Sequence, residues 1–119
     1  MFINISKHAS PKWSAEQLQA AQALGGEIRD IQFPNVATLA TTADVLALAD
    51  GLATQVGDGD VAMVQGEFTL VYATIRRLRT RDVRVVAACT ERKVQETQKP
   101  DGTFEKTAIF VFAGFRDYE

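Results

Sequence analysis

The sequence predicts a single α/β domain: a minimal Rossmann-like fold with a mainly parallel sheet in strand order 2-1-3-4, helices on both faces and a C-terminal β-hairpin. Three observations predict it. Four short apolar runs alternate with segments of helical periodicity as far as Cys89. The third run, Val61-Ala62-Met63-Val64-Gln65, has almost no polar alternation, as expected of a strand covered on both faces. Right-handed crossovers between such runs then bring sequential strands side by side.

Phe2-Ile3-Asn4-Ile5-Ser6 reads as the first strand. Ser14 to Leu24 reads as a helix, with Ser14 as N-cap and Gln17 completing a capping box. Gly25-Gly26 stops it. Glu27 to Phe33 is the second strand, with Ile28, Ile31 and Phe33 its expected buried residues, and Pro34 ends it. After a loop over Asn35 to Thr41, a second helix runs from Thr42 to Gln55. Val45, Ala49, Leu52 and Val56 recur at helical spacing along it. Gly57-Asp58-Gly59-Asp60 is a turn. Glu67 to Thr80 is a third helix, whose expected apolar stripe is Phe68, Val71, Tyr72, Ile75 and Leu78. Val83 to Cys89 reads as a fourth, fully buried strand.

The pattern then changes. Arg92 to Gln98 and Thr103 to Ala113 alternate like strands around the turn Lys99-Pro100-Asp101-Gly102. Two readings fit: a separate terminal hairpin, or one strand extended into a ribbon.

Composition narrows the function. The chain has 119 residues, 46% apolar and 24% charged, with net charge −2. That suits one ordered domain and argues against an extended nucleic-acid coat. No apolar run reaches the roughly 18 residues a membrane span needs. The polar turn after Ile5 does not read as a signal peptide. A lone cysteine, Cys89, excludes an internal disulfide and fits a reducing cytosol, so the expected location is cytoplasmic. One cysteine and one histidine make a conventional zinc site from this chain improbable.

Open parallel sheets bind ligands beyond the carboxyl ends of their strands, where the strand order reverses. Three segments should converge there: Ser6-Lys7-His8-Ala9-Ser10-Pro11-Lys12-Trp13 after strand one, Gln65-Gly66-Glu67-Phe68-Thr69 after strand three, and Thr90-Glu91-Arg92-Lys93 after strand four. Their hydroxyls, amide, imidazole and cations suit a ligand made of phosphate and ribose. His8, the only histidine, can contact phosphate or move a proton near neutral pH, or it can be a loop residue bonded to backbone. Lys7 is adjacent, though neighbouring side chains can point apart. Gly66 opens the third helix, where a bare backbone and a helix N-terminus favour an anion. Glu67 can complement the helix dipole or accept from a ribose hydroxyl or adenine amino group. Arg92 can grip phosphate bidentately, with Thr90 adding a hydroxyl. The chain has no G-x-x-x-x-G-K-[ST] and no Gly-x-Ser-x-Gly, so a P-loop enzyme and an α/β-hydrolase are not indicated. Trp13 reads as a packing residue. So does Cys89, placed in a buried strand beside Ala87 and Ala88. Arg76, Arg77, Arg79, Arg81 and Arg84 lie at the opposite edge of the sheet, where cations complement the end of the third helix.

Asn4-Ile5-Ser6-Lys7-His8, Gln65-Gly66-Glu67, Thr90-Glu91-Arg92 and the terminal hairpin together resemble the small Rossmann-type CRISPR-associated proteins of type III systems. These are single-domain relatives of the cyclic-oligonucleotide sensor domains called CARF. The resemblance covers most of the chain. It implies a homodimer whose two-fold cleft binds cyclic tetra-adenylate, and, in the ring-nuclease group, cleavage of that messenger without metal or other cofactor. It further implies that Ser6 and His8 match the first-loop motif, Gln65 and Gly66 the phosphate-contacting loop, and Thr90 and Arg92 the fourth-strand motif. His8 and Arg92 would then be catalytic, and Ser6, Lys7, Gln65, Gly66, Glu67, Thr90 and Glu91 would bind ligand. Glu67 departs from an otherwise neutral or basic site. A noncatalytic cyclic-nucleotide binder, a small nucleotide-processing enzyme and a structural dimer remain open. The apolar hairpin residues Phe104, Phe110, Phe112 and Phe115 are the expected dimer surface.

Overall fold

β1 (Phe2–Ser6) occupies the interior of a five-stranded sheet in the order β2-β1-β3-β4-β5. The computed structural model describes residues 1–119. β2 (Ile28–Gln32), β3 (Val61–Val64) and β4 (Arg84–Gln98) run parallel to β1, and β5 (Phe104–Asp117) returns antiparallel to β4. Phe2 registers with both Ile28 and Val61. The order of the first four strands and the antiparallel hairpin match the sequence expectation.

Alternation along the strands sorts the core onto two faces. Ile3, Ile5, Ala62, Val64 and Val85 face α2 (Thr42–Ala53) and α3 (Phe68–Arg79). Phe2, Met63 and Val86 face α1 (Ala15–Gly25). One face therefore carries two helices and the other only one. Over β4 and β5 the second face is open beyond Ala88 and Phe115, which still pack on the α1-side core.

The helix starts follow local chemistry. Ser14 Oγ accepts from Gln17 N–H at 3.2 Å, so the cap on α1 is present, while no reciprocal bond from the Gln17 side chain completes the expected box. The full capping box is on α2, where Thr41 and Asp44 exchange side-chain and backbone bonds at 3.1 and 3.0 Å. Gly25 lies against the start of β1, where an added Cβ would come within 2.5 Å of Phe2 N.

Five expectations are corrected. β4 does not end at Cys89; it continues unbroken to Gln98, so Thr90-Glu91-Arg92 is strand rather than loop. The ribbon reading of the C-terminal region is the one observed. Nor is this strand fully buried: Val85 and Val86 are, but Ala87, Ala88 and Cys89 are half-buried. The third correction concerns α3. Its core face is Leu70, Ala73, Thr74, Ile75 and Leu78, and Phe68 and Tyr72 are 88% and 65% exposed. This helix is apolar around much of its circumference, and only one side can meet the sheet and α2. Last, α2 ends at Ala53 and β5 runs on to Asp117, beyond the expected Ala113.

Beyond the body, β4 and β5 form a two-stranded arm over residues 90–98 and 104–112, exposed nearly throughout. It gives the chain a radius of gyration of 17.3 Å, against about 13.5 Å for a compact chain of this length. At its base, Cys89 pairs with Gly114 while Thr90 pairs with Phe112. Ala113 is thus an extra residue, a β-bulge.

Candidate functional site

The open half of the α1 face is a cleft of about 770 Å³ at the carboxyl ends of β1, β3 and the parallel part of β4. Four of the expected residues meet in it: Ser6, His8, Gln65 and Thr90. Met63, Ala88 and Phe112 supply apolar surface, and Lys12 and Gln17 add polar groups from the α1 side.

The first loop is held by a polar network rooted in β1. Asn4 is fully buried in an otherwise apolar strand. Its Nδ2 donates to the His8 carbonyl and to Asp30 Oδ1, both at 2.8 Å, and its Oδ1 accepts from Ser6 Oγ at 2.7 Å. Asp30 is the register partner of Asn4 on β2. It also accepts from Ser10 N–H at 3.0 Å and from Ser10 Oγ at 2.8 Å. Burial pushes the Asp30 carboxyl up, but these donors together outweigh it and hold the group below its ordinary value. The His8 carbonyl takes a further bond from Trp13 Nε1 at 3.2 Å, and the His8 N–H donates to Ser6 Oγ at 3.1 Å. The backbone of His8 is therefore fixed from both sides. Its imidazole is exposed at the cleft, with no protein group bonded to the ring.

Ser6 serves this network rather than the cleft, being 5% exposed with its hydroxyl spent on Asn4 and His8. Trp13 is half-buried and packs edge-on against Phe2, at 6.1 Å between ring centroids. Both side chains hold the structure together. Sequence reasoning gave no role of their own to Asn4, Asp30 and Lys12, although Lys12 lies in the first of the converging segments. An asparagine between isoleucines in a buried strand was the available signal for the first, since such a group must find partners. Lys12 closes the short 3₁₀ turn Ser10–Lys12 before Trp13. No periodicity marks it.

The remaining expected residues lie elsewhere. Lys7 points away, its Nζ 2.8 Å from Asn35 Oδ1. A Cβ on Gly66 would meet carbons of the Phe33 ring at 2.5 Å, so what needs this glycine is the buried Phe33. Glu67 is the N-cap of α3 and accepts from Thr69 N–H at 3.0 Å, Leu70 N–H at 2.9 Å and Thr69 Oγ1 at 2.6 Å. The Thr69 hydroxyl first, then the two backbone donors, hold its carboxyl below the usual range. The chain's own carboxylate thus fills the helix terminus expected to receive an anion. Glu91 alternates to the opposite face of the ribbon from Thr90. Arg92 shares the face of Thr90 but stands two positions further out and does not line the cleft, although its register partner Phe110 does.

The arginine cluster lies at the opposite edge, as expected. Arg77 bonds Asp50, Arg84 bonds Asp117, and Arg81 reaches Asp58 together with the Ala53 and Val56 carbonyls at the end of α2. These bonds tie helix ends and the last strand to the body.

Residues 1–116 match the sequence model of the family described as the uncharacterized protein MJ1673 family. The chain belongs to this family. The match takes in every element of the body, both strands of the arm and all the cleft residues. No curated protein and no solved structure matches the chain. No helix is long and apolar enough to cross a membrane, and no three His, Cys, Asp or Glu side chains are grouped so as to hold a metal ion.

Proposed function

We propose that this protein binds a cyclic oligoadenylate, cyclic tetra-adenylate first among them, in a two-fold homodimer, and cleaves it without metal. One observation carries the reading: His8 and Gln65, just past the ends of β1 and β3, and Thr90, within β4 beside them, line one cleft at the β1/β3 switch point. Its volume of about 770 Å³ lies in the range of small-molecule sites. The lining mixes polar groups (His8, Lys12, Gln65, Thr90) with apolar ones (Met63, Ala88, Phe112), which suits a ligand of phosphates, riboses and bases.

The reaction needs little from the protein. A ribose 2′-oxygen forms a bond to the adjacent phosphorus as the bond from phosphorus to the 5′-oxygen breaks. The 2′-hydroxyl gives up its proton, the 5′-oxygen gains one, and a cyclic 2′,3′-phosphate remains. Holding the attacking oxygen in line supplies much of the acceleration. In this reading the His8 imidazole moves the proton, and the bonds of Ser6, Asn4 and Trp13 to its backbone support the role by fixing the loop. Lys12 is the cation of the cleft wall, in the position sequence reasoning gave to Arg92.

The free imidazole also favours a second reading. Catalytic histidines are commonly oriented by a partner on the other ring nitrogen, and the His8 ring has none. A noncatalytic binder that sequesters the same nucleotide needs no such partner. Incubating the protein with labelled cyclic tetra-adenylate in the presence of a chelator, alongside a direct binding titration, decides between them. Binding with linear products supports the nuclease, and binding without products supports the sequestering protein. Absence of binding overturns both.

A further inference from the structure

The arm has an apolar face that nothing in its own chain covers. Strand alternation puts Thr90, Arg92, Val94, Glu96 and Gln98 of β4 on the same face as their register partners Phe112, Phe110, Ala108, Lys106 and Phe104 of β5. Val94, Phe104 and Phe110 are 56, 62 and 68% exposed. This row continues the aromatic row of the body: Trp13 packs on Phe2, Phe2 on Phe115 and Phe115 on Phe112. Apolar surface therefore runs from beneath α1, along the cleft and out to the tip of the arm. A two-stranded ribbon of this kind is marginal in water unless its apolar face is packed.

We propose that the face is covered by the same face of a second copy, with the two arms antiparallel and the two-fold axis crossing the Val94–Ala108 pair. The inference rests on the dimer of the proposed function and names its surface. Charge complementarity carries it. Arg92 and Glu96 stand two positions either side of Val94, and neither has an ion-pair partner in its own chain. A two-fold axis at Val94 sets Arg92 of each copy opposite Glu96 of the other and makes two ion pairs. The same operation sets Phe110 opposite the other copy's Lys106. It also sets the tip residue Phe104 opposite Phe112, where Phe104 extends the aromatic wall of the other copy's cleft. Parallel arms are excluded by the body, because α1 stands on this same face and would collide with its counterpart.

The arm face is roughly 30 Å long and two strands wide. Such an interface falls at the small end of specific ones and fits a dimer of micromolar affinity. Two variants test it in complementary fashion, Arg92→Glu and Glu96→Arg, each measured alone and in equimolar mixture by sedimentation. Each alone should dissociate about tenfold more readily than the unmodified chain, since like charges then meet at both pairs. The mixture should regain dimers, because a heterodimer restores opposite charges at both positions. Variants that dimerise alone as tightly as the unmodified chain would overturn the arm interface while leaving a dimer elsewhere. A mixture that stays dissociated would overturn it as well. An unmodified chain that is monomeric from micromolar to millimolar concentration would overturn the interface and the dimer together, whatever the nucleotide titration shows.

Discussion

Phe112 and Phe115 pack against each other, ring centroids 5.0 Å apart, although three residues of a β-strand should put them on opposite faces. The extra residue Ala113 in the bulge opposite Cys89 and Thr90 resets the alternation. Phe115 thereby faces Ala88, Phe112 faces Thr90, and both join the cleft side of the sheet.

Inserting one residue between Cys89 and Thr90, which gives Ala113 a partner and removes the bulge, should undo this. Regular pairing would turn one of the two rings to the opposite face and break the contact. The expected cost is about 2 kcal/mol in urea unfolding, within the usual range for a core defect. NMR contacts between the two rings should vanish. Survival of those contacts in the insertion variant would refute the account of the bulge.

Gly66 is tied to Phe33. Gly66→Ala should destabilise by about 1–3 kcal/mol, the range for forcing extra volume into a packed site, because the added methyl overlaps the Phe33 ring. Phe33→Leu should recover part of that loss when combined with it, although alone it lowers stability. Strict additivity of the two changes would show that the ring is not what Gly66 accommodates.

Acid should loosen the first loop through Asp30. The folded state holds this carboxyl below its ordinary value, so its contribution is present above the ordinary value of 3.8 and is lost as pH falls through that value to the lower folded one. Asp30→Ala should cost about 1–2 kcal/mol at neutral pH, at the modest end because the group is exposed, by leaving Asn4 Nδ2 and Ser10 short of an acceptor. The variant should also show a smaller stability loss than the unmodified protein between pH 5 and about pH 3. Parallel pH profiles for the two proteins would contradict this role.

Nucleotide affinity should map onto the cleft. Gln65→Ala and Thr90→Ala should each weaken binding of cyclic tetra-adenylate by about 0.5–1.5 kcal/mol, and Lys12→Ala by about 1.5–3 kcal/mol. Arg79→Ala, at the far edge, should change nothing, and Glu67→Ala should lower thermal stability without weakening binding. Calorimetry, by titration for affinity and by scanning for stability, reads all five. Comparable losses at Arg79 and Thr90 would place the site at the other edge of the sheet.

Catalysis should depend on His8 more than binding does. His8→Ala should slow single-turnover cleavage by about 100- to 10,000-fold, with affinity nearly unchanged, because a proton shuttle acts only in the transition state. Equal falls in binding and turnover would reduce His8 to a phosphate contact.

The element order, the parallel sheet and the cleft's location at the strand ends were all legible locally. Apolar runs, helical spacing from Val45 to Val56, and the Lys99–Gly102 turn depend on neighbours a few residues away. The outcome at Thr90-Glu91-Arg92 was not legible. Whether those residues turn or continue as strand depends on β5 returning beside them, a pairing made across the sheet. The burial of α3 was likewise ambiguous, since Phe68 and Leu70 are equally apolar, and only docking against α2 and the sheet selects which is covered. Asn4 became intelligible only when β2 brought Asp30 beside it, and Gly66 only when Phe33 closed over it. Pattern along the chain determined which segments form and in what order. Contacts between residues distant in sequence decided which faces are buried, where the arm begins and which side chains meet in the cleft, because each of those outcomes is an energy shared by two segments and written in neither alone.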